Sequence, residues 1–206
     1  GGKTAIVTGG SRGIGKAVAR EMAVEGMDVV IAARSMEMLD STAEELSYET
    51  KGRIFPVQVD TTEDESVRSM VQQSLGLLGH VDVLVNCAAR PLGQGPEPDL
   101  LNITDDYFWN DINVKCIGYF RCIRAVVPDM KSRGWGRIIN ISGLGARNVG
   151  SLTGSVRNVA IVAMTKNLAA ELGRDGINVT VVHPGYTRTE ATPRVIADLA
   201  ISNGIS

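Results

Sequence analysis

Little excess charge of either sign is present, because 21 Lys and Arg stand against 23 Asp and Glu and leave a formal net charge of −2. The basic residues are scattered, so the chain carries no electrostatic footprint for a nucleic acid or an acidic membrane surface. No apolar run approaches the length of a bilayer span, and Gly1-Gly2-Lys3 does not resemble a signal peptide. Cysteine is scarce. Cys87, Cys116 and Cys122 are odd in number and lack metal-site spacing, and two of them lie in apolar surroundings that suit buried thiols in a reducing compartment. The expectation is a cytoplasmic protein with no metal, nucleic acid or membrane among its partners. Internal repeats and low-complexity stretches are also missing.

Apolar residues, in contrast, make up 44% of the sequence, enough for one good core, and residues 1–206 are read as a single domain. Strand and helix patterns alternate along it. Thr4 to Val7 reads as a buried strand, and Lys16 to Met27 as a helix with Val18, Met22 and Ala23 at helical spacing. Strands come next at Asp28 to Ala33, Arg53 to Val59, and Asp82 to Val85, separated by helices at Met36 to Glu49 and Glu63 to Leu78. A Pro- and Gly-rich loop, Asn86 to Asn102, leads into a long helical region from Thr104 to Arg133 that Pro128 is expected to kink or interrupt. Arg137 to Ile141 is a fifth strand and Gly176 to Val182 a sixth. Between them Thr153 to Arg174 is the clearest helix, with Val159, Val162, Ala163, Leu168 and Leu172 apolar at helical spacing. The end of the chain is weakly helical, with no further strand. Such alternation implies an α/β fold, a doubly wound and mostly parallel sheet with helices on both faces, because parallel neighbours need crossover connections. Ligands of such sheets bind at the carboxyl ends of the strands.

One turn stands at that edge. Thr8-Gly-Gly-Ser-Arg-Gly-Ile-Gly15 lies directly behind the first strand and in front of the first helix. Glycines tolerate positive φ and leave backbone N–H groups bare, and a helix N-terminus adds partial positive charge, so a diphosphate is the natural guest. Glycine-rich turns also occur where strand and helix merely pack closely, so the turn alone is a weak signal.

Several motifs in order resemble the short-chain dehydrogenase/reductase family over essentially the whole chain. Thr8, Gly9, Gly13 and Gly15 fit its TGxxxGxG turn; Asn86-Cys87-Ala88-Ala89 is similar to its NAG-type motif; Asn113 resembles its helix asparagine; Pro184-Gly185 resembles its late turn. The resemblance implies a Rossmann-type fold and a bound nicotinamide dinucleotide. It implies pyrophosphate at Thr8, Gly9, Ser11, Arg12, Gly13, Ile14 and Gly15, with Asp60 near the adenine. Asn86 and Ala88 would lie near the adenosine ribose, and Pro184, Gly185, Thr187 and Thr189 beside the nicotinamide. A carboxylate at the end of the second strand would favour NAD; here Ala33 is followed by Arg34, and with Arg12 this makes NADP the expectation and NAD the alternative.

The family's catalytic tyrosine and lysine, four residues apart on the helix after the fifth strand, fall on Gly154 and Asn158. Glycine offers no proton and asparagine no charge, so a tyrosine poised by a neighbouring ammonium is missing. The remaining catalytic candidates by resemblance are Asn113 and Ser142, the latter one residue early in register and open to a reading as a loop-stabilising hydroxyl. Ser155, Arg157 and Tyr186 are further candidates, while His183, Tyr107, Tyr119 and Lys166 read as structural or surface residues. Two functions stay open. One is an NADP-dependent oxidoreductase that moves hydride between nicotinamide and a small carbonyl or alcohol with an unusual proton donor. The other is a non-catalytic cofactor-binding protein acting as a redox sensor or assembly partner. Cofactor affinity is expected to be weaker than usual for want of the lysine. The resemblance further implies a homo-oligomer, dimer or tetramer, packed through the two long helical regions, and a substrate-covering segment and final strand that this sequence does not contain.

Overall fold

The computed structural model describes residues 2–89, 98–202 and 204. Six strands run in the order β1 (Thr4–Thr8), β2 (Asp28–Ala33), β3 (Ile54–Gln58), β4 (Val83–Asn86), β5 (Gly136–Ile141) and β6 (Ile177–Val182). They form one sheet of spatial order β3-β2-β1-β4-β5-β6, and every pairing is parallel. The order reverses between β1 and β4, which opens a crevice at the carboxyl ends of those two strands. β1, β2 and β4 are short apolar runs because both of their faces are covered, with all five residues of β1 buried, whereas β6 at the edge of the sheet alternates between buried and exposed.

Alternation along each strand feeds two cores. Ile6, Val30, Leu84 and Ile138 point to one face, where they meet Val67 and Met70 of α3 (Asp64–Leu78) and Ile123, Val126 and Met130 of α5 (Gly118–Arg133). Ala5, Val7, Val29, Ile31, Val83 and Val85 point to the other, against Ala19 and Ala23 of α1 (Gly13–Val24) and Leu39, Ala43 and Leu46 of α2 (Met36–Thr50). Local signals agree with these boundaries. Ser35 caps α2 by accepting from the Met38 N–H, and Gly134, at φ 63°, ends α5 in the left-handed conformation that glycine adopts freely.

At the amino edge of the sheet, Asp82 is 1% exposed and ties four groups together. It accepts from the Thr4 N–H at 3.1 Å and pairs with Arg133, His80 and Lys3. Burial pushes its carboxyl pKa up, but the Arg133 and Thr4 hydrogen bonds and the charges of His80 and Lys3 outweigh that and hold it below the usual carboxylate value.

Two expectations need correction. The helical region from Thr104 to Arg133 is not broken at Pro128, which sits inside α5. The irregularity comes earlier: α4 (Asp105–Ile112) passes into a π-helical turn over Asn113–Ile117 before α5 begins. Such a turn is one residue looser than an α-turn and rotates the helix beyond it, a device common at functional sites. The apolar stripe read on α6 (Leu152–Leu172) faces inward only in part: Leu172 is buried and Leu168 packs on the core, but Val159 is 50% exposed and Ala163 is exposed, while Thr153, Gly154, Asn158, Ile161 and Thr165 are buried. Polar side chains occupy that face because partners await them there. Residues 90–97 of the loop expected over Asn86 to Asn102 lie outside the described residues; its end, Leu100–Asn102, is a single 3₁₀ turn. After β6 the chain forms α7 (Thr192–Ser202).

Candidate functional site at the carboxyl edge

Thr8 ends β1 fully buried, and its hydroxyl accepts from the Cys87 and Ala88 N–H groups at 3.2 and 3.3 Å, which fixes the chain leaving β4 against the chain leaving β1. Gly9, at φ 68°, lies against Ala88 so closely that a Cβ would stand 3.0 Å from its backbone. A Cβ on Gly15 would be 2.2 Å from the Gly9 carbonyl oxygen, so the turn folds onto the start of α1 only with glycine there. The Ser11 carbonyl accepts from Thr42 of α2, Arg12 is the exposed N-cap residue of α1, and Ile14 lies in its first turn.

No side chain caps α1 from within the turn. The cap comes from far along the chain: the Gly13 N–H donates to a Glu190 carboxylate oxygen at 3.0 Å. Thr189 packs beside Gly13, and its own N–H donates to Thr192 at 2.7 Å. The segment carrying Pro184, Gly185, Thr187 and Thr189 therefore leaves β6 across the crevice and reaches the glycine turn. A helix N-terminus that takes a carboxylate oxygen on a bare N–H fits an anionic group such as a diphosphate.

Arg34 follows β2 and is exposed, like Arg12; among the described residues neither guanidinium has a carboxylate partner. Arg34 and Asp60 both line a cleft of about 560 Å³ beside β3. The Asp60 carboxylate accepts from the Thr62 N–H and hydroxyl at 2.9 and 2.7 Å, which orients it at the end of β3.

A buried polar chain runs beneath the crevice. Asn86 at the end of β4 donates to Asn140 of β5 at 2.9 Å, and Asn140 donates to Thr165 of α6 at 3.0 Å. The Asn86 Oδ1 is buried without a partner among the described residues. These bonds explain why Thr165 is turned inward.

Ser142 is 5% exposed and its hydroxyl donates to the Asn158 carbonyl at 3.1 Å, the loop-stabilising role. Asn113 turns its carboxamide oxygen to Arg121 at 2.8 Å, the same guanidinium that donates to the Thr61 carbonyl. The side chain brought to Ser142 and Asn158 is instead Lys115, two residues further along the π turn. Its Nζ donates to the Ser142 carbonyl at 2.9 Å and to the Asn158 Oδ1 at 3.1 Å. Lys115 is 6% exposed. Burial lowers its pKa from the ordinary 10.5 to about 8, with the positive charge of Arg157 pushing the same way and Cys116, Asp111 and Cys87 opposing.

Among the described residues its surroundings supply no free anion. Arg157, one of the further candidates, is paired with Asp111, which is 2% exposed. Burial pushes the Cys87 thiol up to about 12 and the Cys116 thiol up to about 11, so both stay neutral. Tyr119 is fully buried, donates its hydroxyl to the Ile141 carbonyl at 3.0 Å, and has its pKa raised well above 10 by burial. His183 sits with Nδ1 3.1 Å from the Gly143 carbonyl, the structural role expected of it, while Tyr186 is 99% exposed. Gly154 is buried in the first turn of α6, where its N–H donates to the Ser151 hydroxyl at 3.0 Å.

Comparison with known proteins agrees with this architecture. The short chain dehydrogenase family profile matches residues 3–200, and the chain belongs to that family. Among curated proteins it is 37% identical over 193 residues to the short-chain reductase protein NovJ of Streptomyces niveus, covering 93% of this chain and 70% of that protein. It is 33% identical over 202 residues to the 3-oxoacyl-[acyl-carrier-protein] reductase FabG of Staphylococcus epidermidis, covering 96% and 80%. Among solved structures, a variant of actinorhodin polyketide ketoreductase with NADPH superposes with a TM-score of 0.89 at 31% identity, over 99% of this chain and 78% of that one. The L-sorbose reductase of Gluconobacter frateurii, complexed with NADPH and L-sorbose, gives 0.86 at 30% identity, over 98% and 76%.

Proposed function

We propose that the chain binds NADP(H) at the carboxyl edge of its sheet and exchanges hydride with the carbonyl or alcohol of a small molecule. The observation that carries this reading is the Glu190 carboxylate on the Gly13 N–H, because it puts an anionic oxygen where the turn and the α1 terminus would hold a diphosphate. NADPH in both solved relatives, and the reductase names of the curated ones, support the choice of cofactor and chemistry. When bound, the nicotinamide gives or takes hydride. The chain's own part is to hold the diphosphate at Thr8 to Gly15, orient the adenosine through Asp60, Asn86 and Ala88, and pair a 2′-phosphate with Arg34 and Arg12. The segment Pro184, Gly185, Thr187 and Thr189 would cover the nicotinamide.

Calorimetric titration tests the cofactor: NADPH is expected to bind tighter than NADH, and Arg34→Ala to narrow the difference by about tenfold, the worth of one charge-assisted contact. Equal affinity for both dinucleotides, or none for either, would overturn the reading.

A second reading, cofactor binding without turnover, is favoured by Gly154, which provides no proton at the position of the family's tyrosine. Enzyme-dependent NADPH oxidation with cyclohexanone, an aromatic aldehyde or a 3-oxoacyl thioester separates the two. A homo-oligomer is supported by Trp109 and Phe120 on α4 and α5 and Val156 and Val159 on α6, all of them exposed. The three free thiols support a reducing, cytoplasmic setting.

A further inference from the structure

Lys115 is a buried ammonium held by neutral oxygens alone. Taking an ammonium out of water is expensive, and proteins usually offset that cost with a carboxylate. Here the carboxylate in the neighbourhood, Asp111, is taken by Arg157. Two of the three N–H groups of Lys115 go to the Ser142 carbonyl and the Asn158 Oδ1, and the third has no acceptor among the described residues. The packing around these bonds is tight. A Cβ on Gly143 would come 2.9 Å from the Asn158 amide nitrogen, and one on Gly145 would come 3.2 Å from it, so glycine at both places lets the loop after β5 close onto Asn158. The ammonium is thus fixed from three elements: the π turn, the loop after β5 and α6.

The location matters as much as the burial. Ser142 follows the carboxyl end of β5, beside the edge where β1 and β4 part. Among the described residues, three buried or half-buried proton donors at this edge are held back. The Ser142 hydroxyl bonds the Asn158 carbonyl, the Tyr119 hydroxyl bonds the Ile141 carbonyl, and burial keeps the Cys87 thiol protonated.

We propose that Lys115 is the proton donor of the carbonyl reduction, its Nζ supplying from the π turn the acid that position 154 lacks. This deepens the function proposed above and rests on it. In the step, the carbonyl carbon gains hydride from the reduced dinucleotide and the C=O π bond opens. Its oxygen takes one proton from the Lys115 ammonium, leaving an alcohol, an oxidised dinucleotide and a neutral amine. The amine recovers its proton from solvent. In the alcohol-to-carbonyl direction the neutral amine accepts the proton instead. An amine that titrates near neutral pH can serve both directions, as a lysine of ordinary basicity could not. The groups facing it are Arg157 of α6, Asp111 of α4, Cys116 of the π turn and Cys87 at the end of β4; Arg157 lowers its basicity and the other three raise it.

The test uses the full chain with a readout independent of turnover. With lysines labelled at 13Cε, the resonance absent from Lys115→Met is expected to titrate with a midpoint near 8; a midpoint near 10.5 would overturn the proposal. In NADPH-driven reduction of the same carbonyl panel, kcat of the wild type is expected to fall as pH rises past about 8. Lys115→Met should lose 100-fold or more in kcat and lose that pH limb, with NADPH affinity held within about threefold. Lys115→Arg, which keeps charge but cannot release a proton near neutrality, should not restore the rate. Wild-type turnover in Lys115→Met would sink the assignment. So would a wild type that binds NADPH yet reduces no carbonyl, whereas a wild type that binds no NADPH refutes the cofactor reading itself. Should Lys115→Met fail to fold, Lys115→Gln serves in its place and the wild-type titration and pH profile still decide.

Discussion

A buried lysine with lowered basicity leaves a signature on stability. The folded chain holds the Lys115 proton only to about pH 8, the unfolded chain to about 10.5. Between those values the unfolded state binds more protons, so this residue's contribution to stability rises with pH, by roughly 3 kcal/mol across the window. Cys87, Cys116, Cys122 and Tyr119 act oppositely. Burial raises their pKa values, so the stability they contribute is present at lower pH and lost as pH climbs past their unfolded values, 9.0 for the thiols and 10.0 for the phenol. Those contributions are shared by a Lys115→Met variant and largely cancel in a difference. Urea unfolding from pH 7.5 to 10.5 is expected to show the wild type gaining on Lys115→Met as pH rises, beginning near pH 8; a constant difference would contradict it. Lys115 is not legible as a site residue in the sequence. It is the one charge in the run Ile112-Asn-Val-Lys-Cys-Ile117, a local signal of burial, but helical spacing implies a regular helix there, and a π turn changes which side chain faces the sheet.

At the scale of the element, α6 shows how a helix can bury polar residues that its hydropathy does not mark. Its inward side carries Asn158 and Thr165, which meet Lys115 and Asn140, while the apolar pattern includes Val159 and Ala163 on the outside as well as Leu168 and Leu172 on the core. Its first turn has a further constraint. Ser151 caps the helix by accepting from the Gly154 N–H, and a Cβ at 154 would stand 2.3 Å from that hydroxyl. Gly154→Ala must therefore rotate the cap away, at a cost of about 1 kcal/mol, the worth of an N-cap bond. On a Ser151→Ala background the same change should cost nothing or add stability through better helix propensity. Equal destabilisation in both backgrounds, measured by urea unfolding, would contradict this coupling. Restoring a tyrosine at 154 meets the same obstacle. Converting Asn158 to lysine would set a second ammonium beside the first, so the change is expected to be tolerated only together with Lys115→Asn.

For the molecule as a whole, the parallel sheet, its strand boundaries and the glycine turn are legible in the sequence because each rests on local chemistry: apolar runs of strand length, helical spacing and turn glycines. Contacts across long sequence separations are not. Gly13 and Glu190 lie 177 residues apart, and no pattern in either neighbourhood announces that they meet. With the dinucleotide bound as proposed, their meeting would make its capture an exchange, in which one anion leaves the turn before another arrives. Binding of NADPH, followed by stopped-flow fluorescence, is expected to reach a rate plateau as its concentration rises, set by how often Glu190 swings clear. Glu190→Ala should remove the plateau and tighten binding several-fold; a linear dependence in the wild type would exclude the exchange. The tail of the sheet thereby acts as a tethered competitor whose local concentration does not dilute, so occupancy would be governed by the ratio of two anions for one N–H, and product dinucleotide would be expelled with intramolecular help.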